Sequence, residues 1–336
     1  MKVDWSKLGF DYVKTNVNIR YEYKGGQWSE MQVTEDEYIP MHISTTCLHY
    51  GLECFEGLKA FKGADGKVRI FRMDENAKRM QSSARKLCLP IPTQAIFEQA
   101  CYECVKQNID FVPPYGSGAS LYLRPLLIGT KVGLGVKSSP EAMFIVFCSP
   151  VGAYFKDGMK PIKVVIDRIQ DRAAPRGTGD IKAGGNYASS ILSGEKAHVN
   201  GYSNVMYLDA VEHKYIEECG AANFFGIKDN TYVTPKSPSI LPSITNKSLR
   251  QLAQHLGMKV EERPIAVDEL GEFSEAGACG TAAVISPIGA LYDLDNGVTY
   301  DYGMKVGETC KKMYDHLQGI QYGRVEDTHN WNVLVE

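Results

Sequence analysis

Tyr215-Ile-Glu-Glu-Cys-Gly-Ala-Ala-Asn-Phe-Phe-Gly-Ile227 places two strand-like runs, Tyr215–Glu218 and Asn223–Ile227, on either side of a turn of small residues. Upstream lie another strand-like run, Asn204-Val-Met-Tyr-Leu208, and a helical stretch from about Tyr187 to His198. Before these come the polar, Gly-rich segment Arg172–Gly185 and the apolar run Ile162-Lys-Val-Val-Ile166. Downstream, helical spacing predicts helices over Asn246–Leu256 and from Gly303 to about Leu317. Strands alternating with helices make this half an α/β unit, α+β by some schemes.

The first half repeats the mixture. Val17–Tyr23, Lys59–Phe61 and Lys67–Phe71 read as strands, followed by a helix from Asp74 to Cys88 that Leu89-Pro90 ends. A second helix is expected from Thr93 to about Asn108. Ala119–Ile128 and Ala142–Cys148 then read as central strands, and Ser149–Gly158 breaks the pattern. A chain of 336 residues exceeds the size at which one core stops growing. The expected organisation is therefore a small N-terminal domain over 1–152, a linker over 153–161 and a large domain over 162–336.

The chain is 44% hydrophobic and 23% charged, with a net charge of −3, which gives no general attraction to nucleic acid or to an anionic membrane. It contains no apolar run of membrane-spanning length and no signal-peptide core at its start. Nine scattered cysteines fit a reducing compartment, so a cytoplasmic location is expected. Cys101-Tyr-Glu-Cys104 sits in a helical stretch with no second pair or nearby histidine. It reads as structural, and no metal site is expected.

Three features bear on chemistry. In Asp180-Ile-Lys-Ala-Gly-Gly-Asn-Tyr187, Lys182 precedes two glycines that would leave room for a flat ring beside its amine. Such a lysine is ordinarily a solvated loop residue. In Ile240-Leu-Pro-Ser-Ile-Thr-Asn-Lys-Ser-Leu-Arg250, Pro242, Ser243 and Thr245 open a helix whose free N–H groups favour an anion, although simple N-capping accounts for the same pattern. The third feature is the Glu217-Glu218 pair. One buried carboxylate would keep a pyridine nitrogen protonated, and because neighbouring side chains in a strand face opposite ways, only one of the two serves. Solvated edge charges are the plain alternative. A lysine, an acid about 36 positions on and an anion-binding helix start about 26 beyond that are the three contacts pyridoxal phosphate needs. Rival phosphate motifs fail: Gly177-Thr-Gly179-Asp-Ile-Lys182 lacks the third glycine of G-x-G-x-x-G, and no Walker-type loop occurs.

Leu48-His-Tyr-Gly-Leu-Glu-Cys-Phe-Glu-Gly-Leu-Lys-Ala-Phe61, Ser120-Leu-Tyr-Leu-Arg-Pro-Leu-Leu-Ile-Gly129, Pro150-Val-Gly-Ala-Tyr-Phe155, Lys182-Ala-Gly-Gly-Asn-Tyr187 and Gly280-Thr-Ala282 resemble the fold-type IV aminotransferases. The similarity to their branched-chain branch runs over nearly the whole chain. It implies a fold like that of D-amino-acid aminotransferase, with two α/β domains. It also implies pyridoxal-phosphate-dependent transfer of amino groups from leucine, isoleucine or valine to 2-oxoglutarate by ping-pong kinetics. By the same resemblance Lys182 bonds the cofactor and Glu218, not Glu217, meets the pyridine nitrogen. Tyr187 reaches the ring hydroxyl, and Arg79 binds the phosphate with the N–H groups of Ile244 and Thr245.

On the substrate side the resemblance makes Phe10, Tyr50, Tyr122 and Tyr154 the aromatic wall. Arg124, on the strand face of Tyr122, meets the distal carboxylate of glutamate. The N–H groups of Thr281 and Ala282 hold the α-carboxylate, with Thr281 also touching the cofactor. Leu134 and Val136 match a loop that enters the partner's pocket in the family's homodimers.

Two departures stand out. Ala283 and Ser286 replace a redox-sensitive cysteine pair of some relatives, so no such switch is expected. Tyr232 stands where an aliphatic residue is usual, and Asn246 where a basic one is, with Lys247 adjacent. The rival readings are a D-amino-acid aminotransferase, an aminodeoxychorismate lyase and a non-catalytic phosphate-ligand binding protein. The stretches Leu48–Phe61 and Ser120–Gly129 argue against the two enzymes.

Overall fold

A computed structural model describes residues 3–155 and 158–336, so Lys156 and Asp157 of the expected linker lie outside the described residues. Two compact units emerge. The first comprises Met1–Tyr154, Ile181–Gly184 and Gly319–Glu336. The second comprises Phe155–Asp180 and Gly185–Gln318.

Among the described residues the first unit is built on a nine-stranded antiparallel sheet. At its centre, Ser120–Gly129 pairs along its full length with Ala142–Val151. Period-two alternation sorts these strands into two faces. Leu121, Leu123, Leu127, Phe144 and Val146 form one core with Met80, Ala84, Phe97, Cys101 and Cys104 of the helices Met73–Lys86 and Gln94–Gln107. Tyr122, Arg124, Leu126, Ile145 and Phe147 instead line an open cavity. The second helix starts where Thr93 accepts the Ile96 N–H at 3.2 Å. Cys101 and Cys104 are fully buried; burial pushes the first thiol well up, and Cys148 together with burial does the same to the second.

The break expected at Ser149 falls later, because the strand runs on to Val151. Pro150, opposite Leu121, sits near its end, where one missing donor disturbs little of the ladder. The sequence pattern anticipates contiguous halves, whereas the first unit also takes in the C-terminal residues. Asn332–Val335 pairs antiparallel with Val68–Phe71, and Trp331 packs edge-on against Phe71 at 5.7 Å.

In the second unit six strands follow one another by pairing: Ile216–Cys219, Asn204–Leu208, Ile162–Asp167, Val284–Asp293, Glu275–Gly280 and Ala222–Lys228. The last of these pairs back with the first across the Cys219–Ala222 turn, closing a ring. Thr231–Pro235 and Lys259–Arg263 extend the sheet, and Val298–Asp301 pairs with Val284–Asp293. Parallel and antiparallel neighbours mix, so α+β is the stricter class description. Val164, Met206, Ile216, Phe224, Ala278 and Ile288 share one core.

The single helix expected over Tyr187–His198 is two, Gly184–Ala188 and Ile191–Val199. The next begins at Ile244, two residues before Asn246, because Ser243 caps it by accepting the Asn246 N–H at 3.2 Å. The last helix, Glu308–Gln321, starts five residues after Gly303. Its entry is set by Glu275, which accepts the Thr309 and Cys310 N–H groups at 2.9 and 2.8 Å.

Candidate active site

Lys182 lies on a short extended segment held by its own backbone. Its carbonyl accepts the Phe55 N–H at 3.0 Å, its N–H donates to Ser83 Oγ at 3.1 Å, and Ala183 bridges Cys54. The Lys182 Nζ sits 4.7 Å from the centre of the Phe55 ring. Gly184 donates its N–H to Glu53 Oε1 at 2.5 Å, and a Cβ at Gly184 would lie 2.0 Å from that oxygen. The first glycine after Lys182 thus has a reason within the protein: a larger residue there would have to push the Glu53 carboxylate off the N–H that holds it.

Arg79 projects from the Met73–Lys86 helix onto Glu56, donating from Nε at 2.8 Å and from Nη2 at 2.7 Å. Glu56 is fully buried and also accepts from Asn76 Nδ2 at 2.7 Å. A buried carboxylate with these donors is satisfied, and it fixes the guanidinium in one orientation.

On the open sheet face, Phe10 meets Tyr122 edge-on at 5.2 Å, and Arg124 Nη2 lies 3.3 Å from the Tyr122 hydroxyl. Arg124 also lies over the Phe55 ring, 4.8 Å from its centre. Phe10, Tyr122 and Arg124 line a cavity of about 440 Å3 with Leu126, Ile145 and Phe147. Gly57 makes room there, since a Cβ would strike the Tyr122 hydroxyl at 2.0 Å. Tyr50 and Tyr154 are not among the lining residues. Tyr50 donates instead to the Leu134 carbonyl, so it belongs with the projecting loop in which Leu134 and Val136 are 82% and 81% exposed. Tyr154 is itself exposed.

In the second unit both carboxylates of the Glu217-Glu218 pair are 2% exposed, so neither is a solvated edge charge. Their partners differ, as alternation requires. Glu217 accepts from Ser237 Oγ at 2.7 Å, and burial pushes its carboxyl above the ordinary value. Glu218 accepts the Leu241 N–H at 2.6 Å and stands 3.5 Å from Arg172 Nη2. Arg172 is buried and donates to the Gly179 and Ser239 carbonyls.

Ile244 and Thr245 are the first two helical residues after Ser243. Ser243 takes up the Asn246 N–H, so capping and anion binding are compatible, because the two preceding N–H groups lack partners within the helix. Tyr187 lies in the Gly184–Ala188 helix. Thr281 and Ala282 occupy the turn between Glu275–Gly280 and Val284–Asp293. Val284 leaves that turn at φ 65°, a strained conformation for a β-branched residue.

Each unit carries donors suited to pyridoxal phosphate: in the first a lysine amine against an aromatic ring and an oriented arginine, in the second a helix start whose first N–H groups have no partner within the helix and a buried carboxylate beside an arginine. Phe55, Glu56 and Glu53 stand beside the first unit's donors and Arg172 beside Glu218 in the second, and sequence reasoning did not single them out. Phe55 and Glu56 lie inside the stretch that carries the resemblance, but an acid between Phe and Gly gives no sign of burial. For Arg172 the only signal is its position in the Gly-rich segment.

Comparison with known proteins agrees with this chemistry. The model of the class IV amino-transferases matches residues 53–291. The chain is 49% identical to a branched-chain-amino-acid aminotransferase of Haemophilus influenzae, over 99% of both chains. It is 49% identical to one of Helicobacter pylori, over 98% of this chain and 97% of that one. Among solved structures, the branched-chain amino acid aminotransferase of Escherichia coli superposes with a TM-score of 0.78 at 30% identity, covering 94% of this chain and 99% of the other. The T.th branched-chain amino acid aminotransferase with pyridoxamine 5′-phosphate gives a TM-score of 0.81 at 25% identity, covering 96% of this chain and 100% of that one.

Proposed function

The chain belongs to the class IV aminotransferases, and on that premise we propose that it moves amino groups between the branched-chain amino acids and 2-oxoglutarate. The observation that carries this reading is the Phe55 ring, which has the Lys182 amine 4.7 Å and the Arg124 guanidinium 4.8 Å from its centre. An amine able to act at a substrate's α-carbon and a cation able to meet a distal carboxylate share one apolar platform.

The chemistry supplied by bound pyridoxal phosphate is electron withdrawal from the α-carbon of the amino acid. Lys182 is the residue that would hold the cofactor through its amine, and the same amine would serve as the base that removes and returns the α-proton of the amino acid. Glu218 meets the pyridine nitrogen, with Arg172 and the Leu241 N–H orienting it. Tyr187 hydrogen-bonds the ring hydroxyl. Arg79, aligned by Glu56, and the N–H groups of Ile244 and Thr245 hold the phosphate. The N–H groups of Thr281 and Ala282 bind the α-carboxylate, and Thr281 also touches the cofactor. The aromatic wall is assigned to Phe10, Tyr50, Tyr122 and Tyr154, of which Phe10 and Tyr122 line the cavity, while Arg124 receives the second carboxylate of glutamate.

The exposed Leu134, Val136 and Tyr50 support a homodimer in which this loop enters the partner's pocket. Among the described residues no helix is long and apolar enough to cross a membrane. All nine cysteines are free, which supports a cytoplasmic location.

Borohydride reduction of the yellow, cofactor-loaded protein followed by peptide mapping tests the assignment. Modification is expected at Lys182, and an unmodified Lys182 overturns it. Initial rates with L-leucine and 2-oxoglutarate are expected to give parallel double-reciprocal lines. Intersecting lines, or a preference for D-alanine over L-leucine, reject the reaction class.

A further inference from the structure

We infer that Glu53 is a specificity-determining residue that balances the charge of Arg124 and so sets how the pocket divides its affinity between aliphatic and dicarboxylic substrates. This inference rests on the reading of Arg124 as the receiver of the distal carboxylate.

Strand register places Glu53 opposite Ile128 and Phe55 opposite Leu126. With a period of two, both side chains therefore share the sheet face from which Tyr122 and Arg124 rise. Arg124 lies over Phe55, two residues from Glu53, and its Nε is buried with no acceptor among the described residues. Glu53 is anchored by the Gly184 N–H at 2.5 Å, which holds its carboxylate in one place rather than leaving it to swing into solvent. Burial pushes the Glu53 carboxyl above its ordinary value, while the Gly184 N–H and Arg124 pull it back.

The pocket faces two incompatible demands. When a leucine side chain occupies it, Arg124 is a cation in apolar surroundings with no substrate charge to answer it. When glutamate occupies it, the same cation must be available. A fixed carboxylate nearby eases the first state and competes with the substrate in the second. Glu53 thus trades dicarboxylate affinity for tolerance of aliphatic side chains.

Glutarate and 4-methylvalerate test this. Both lack the reacting amino or oxo group, and they differ at the distal end. Their binding to the cofactor-loaded enzyme is measured by calorimetry for the wild type, Glu53→Gln and Arg124→Met. Gln keeps an oxygen for the Gly184 N–H and removes only the charge. Glu53→Gln is expected to tighten glutarate by roughly fivefold, the scale of a partly screened charge pair, and to leave 4-methylvalerate unchanged or weaker. Arg124→Met is expected to weaken glutarate by about tenfold or more. If Glu53→Gln moves both ligands together, or neither, while Arg124→Met loses glutarate, the pocket reading stands and the role of Glu53 is refuted. If glutarate ignores Arg124→Met, both fall.

Discussion

The Tyr232 hydroxyl donates to Asn246 Oδ1 at 2.9 Å, so the two residues that depart from the family's signature are bonded to each other. Both are buried, and Asn246 Nδ2 also donates to Asn223 Oδ1 at 3.0 Å and Thr234 Oγ1 at 2.9 Å. Asn223 in turn donates to the Leu241 carbonyl, in the residue whose N–H binds Glu218. The substitutions thus form one polar network that ties the Ala222–Lys228 strand to the helix start.

Removing one member leaves its partner buried and unsatisfied. Tyr232→Phe is expected to cost about 1–2 kcal/mol in urea unfolding, and Asn246→Leu more, because three groups then lose a partner. The double variant should recover part of the sum. If the two losses add to within about 0.3 kcal/mol, the bond couples nothing.

The legible parts of the fold were those with local signals. Thr93 before an apolar stripe, Leu89-Pro90 after one, and the apolar runs 119–128 and 142–148 each follow from a few neighbouring residues. Lys259–Arg263 did not read as a strand because it is a polar edge whose partner is Thr231–Pro235. Glu275–Gly280 is Gly- and Ala-rich and owes its state to strands on both sides. Asn332–Val335 depends on a partner more than 250 residues away, which no local pattern encodes. The site divides similarly. Lys182 and Glu218 stand in recognisable strings, whereas Glu56 matters only because a helix turns Arg79 onto it.

Glu56 orients the arginine assigned to the phosphate, so its charge should matter to cofactor retention. Glu56→Gln leaves one acceptor facing two Arg79 donors in a buried site. The expected loss is about 2–3 kcal/mol of stability, with pyridoxal phosphate binding to the apoprotein weakened about tenfold. Unchanged cofactor affinity in a folded variant would remove Glu56 from any role at the phosphate.

Asp293 predicts an acid-sensitive component of stability. It is buried, and Arg168 donates to both its oxygens, at 3.0, 3.1 and 2.7 Å, with Asn296 adding a bond at 3.0 Å. Burial pushes the carboxyl up, but Arg168 and Asn296 more than offset this, and the net shift is downward. A depressed folded value contributes stability that is present above the unfolded value of about 3.9 and is lost as pH falls through the folded one. Asp293→Asn should therefore be less stable at pH 7 by about 2–4 kcal/mol. Its denaturant midpoint should also fall less steeply than the wild type's below about pH 4. Parallel acid limbs in the two proteins would contradict this account.

Gly184 and Gly185 separate two explanations for small residues after Lys182. If both glycines keep a cofactor ring uncrowded, alanine at either should harm cofactor binding. The structure distinguishes them: a Cβ at Gly184 meets Glu53 Oε1 at 2.0 Å and Cδ at 3.0 Å, whereas a Cβ at Gly185 meets nothing within 4 Å. Gly184→Ala should displace Glu53 or the segment carrying Lys182, with a loss of about tenfold or more in pyridoxal phosphate affinity, since small misplacements at such sites are costly. Gly185→Ala meets no protein atom, so any fall in its pyridoxal phosphate affinity reports contact with the cofactor ring itself. Adding Glu53→Ala to Gly184→Ala removes the obstruction and should restore most of the lost affinity, a coupling that independent sites would not show. Absorbance titration of the four apoproteins, wild type included, reads all of these effects. Failure of Glu53→Ala to rescue Gly184→Ala would return the first glycine to the role of clearing space for the ring.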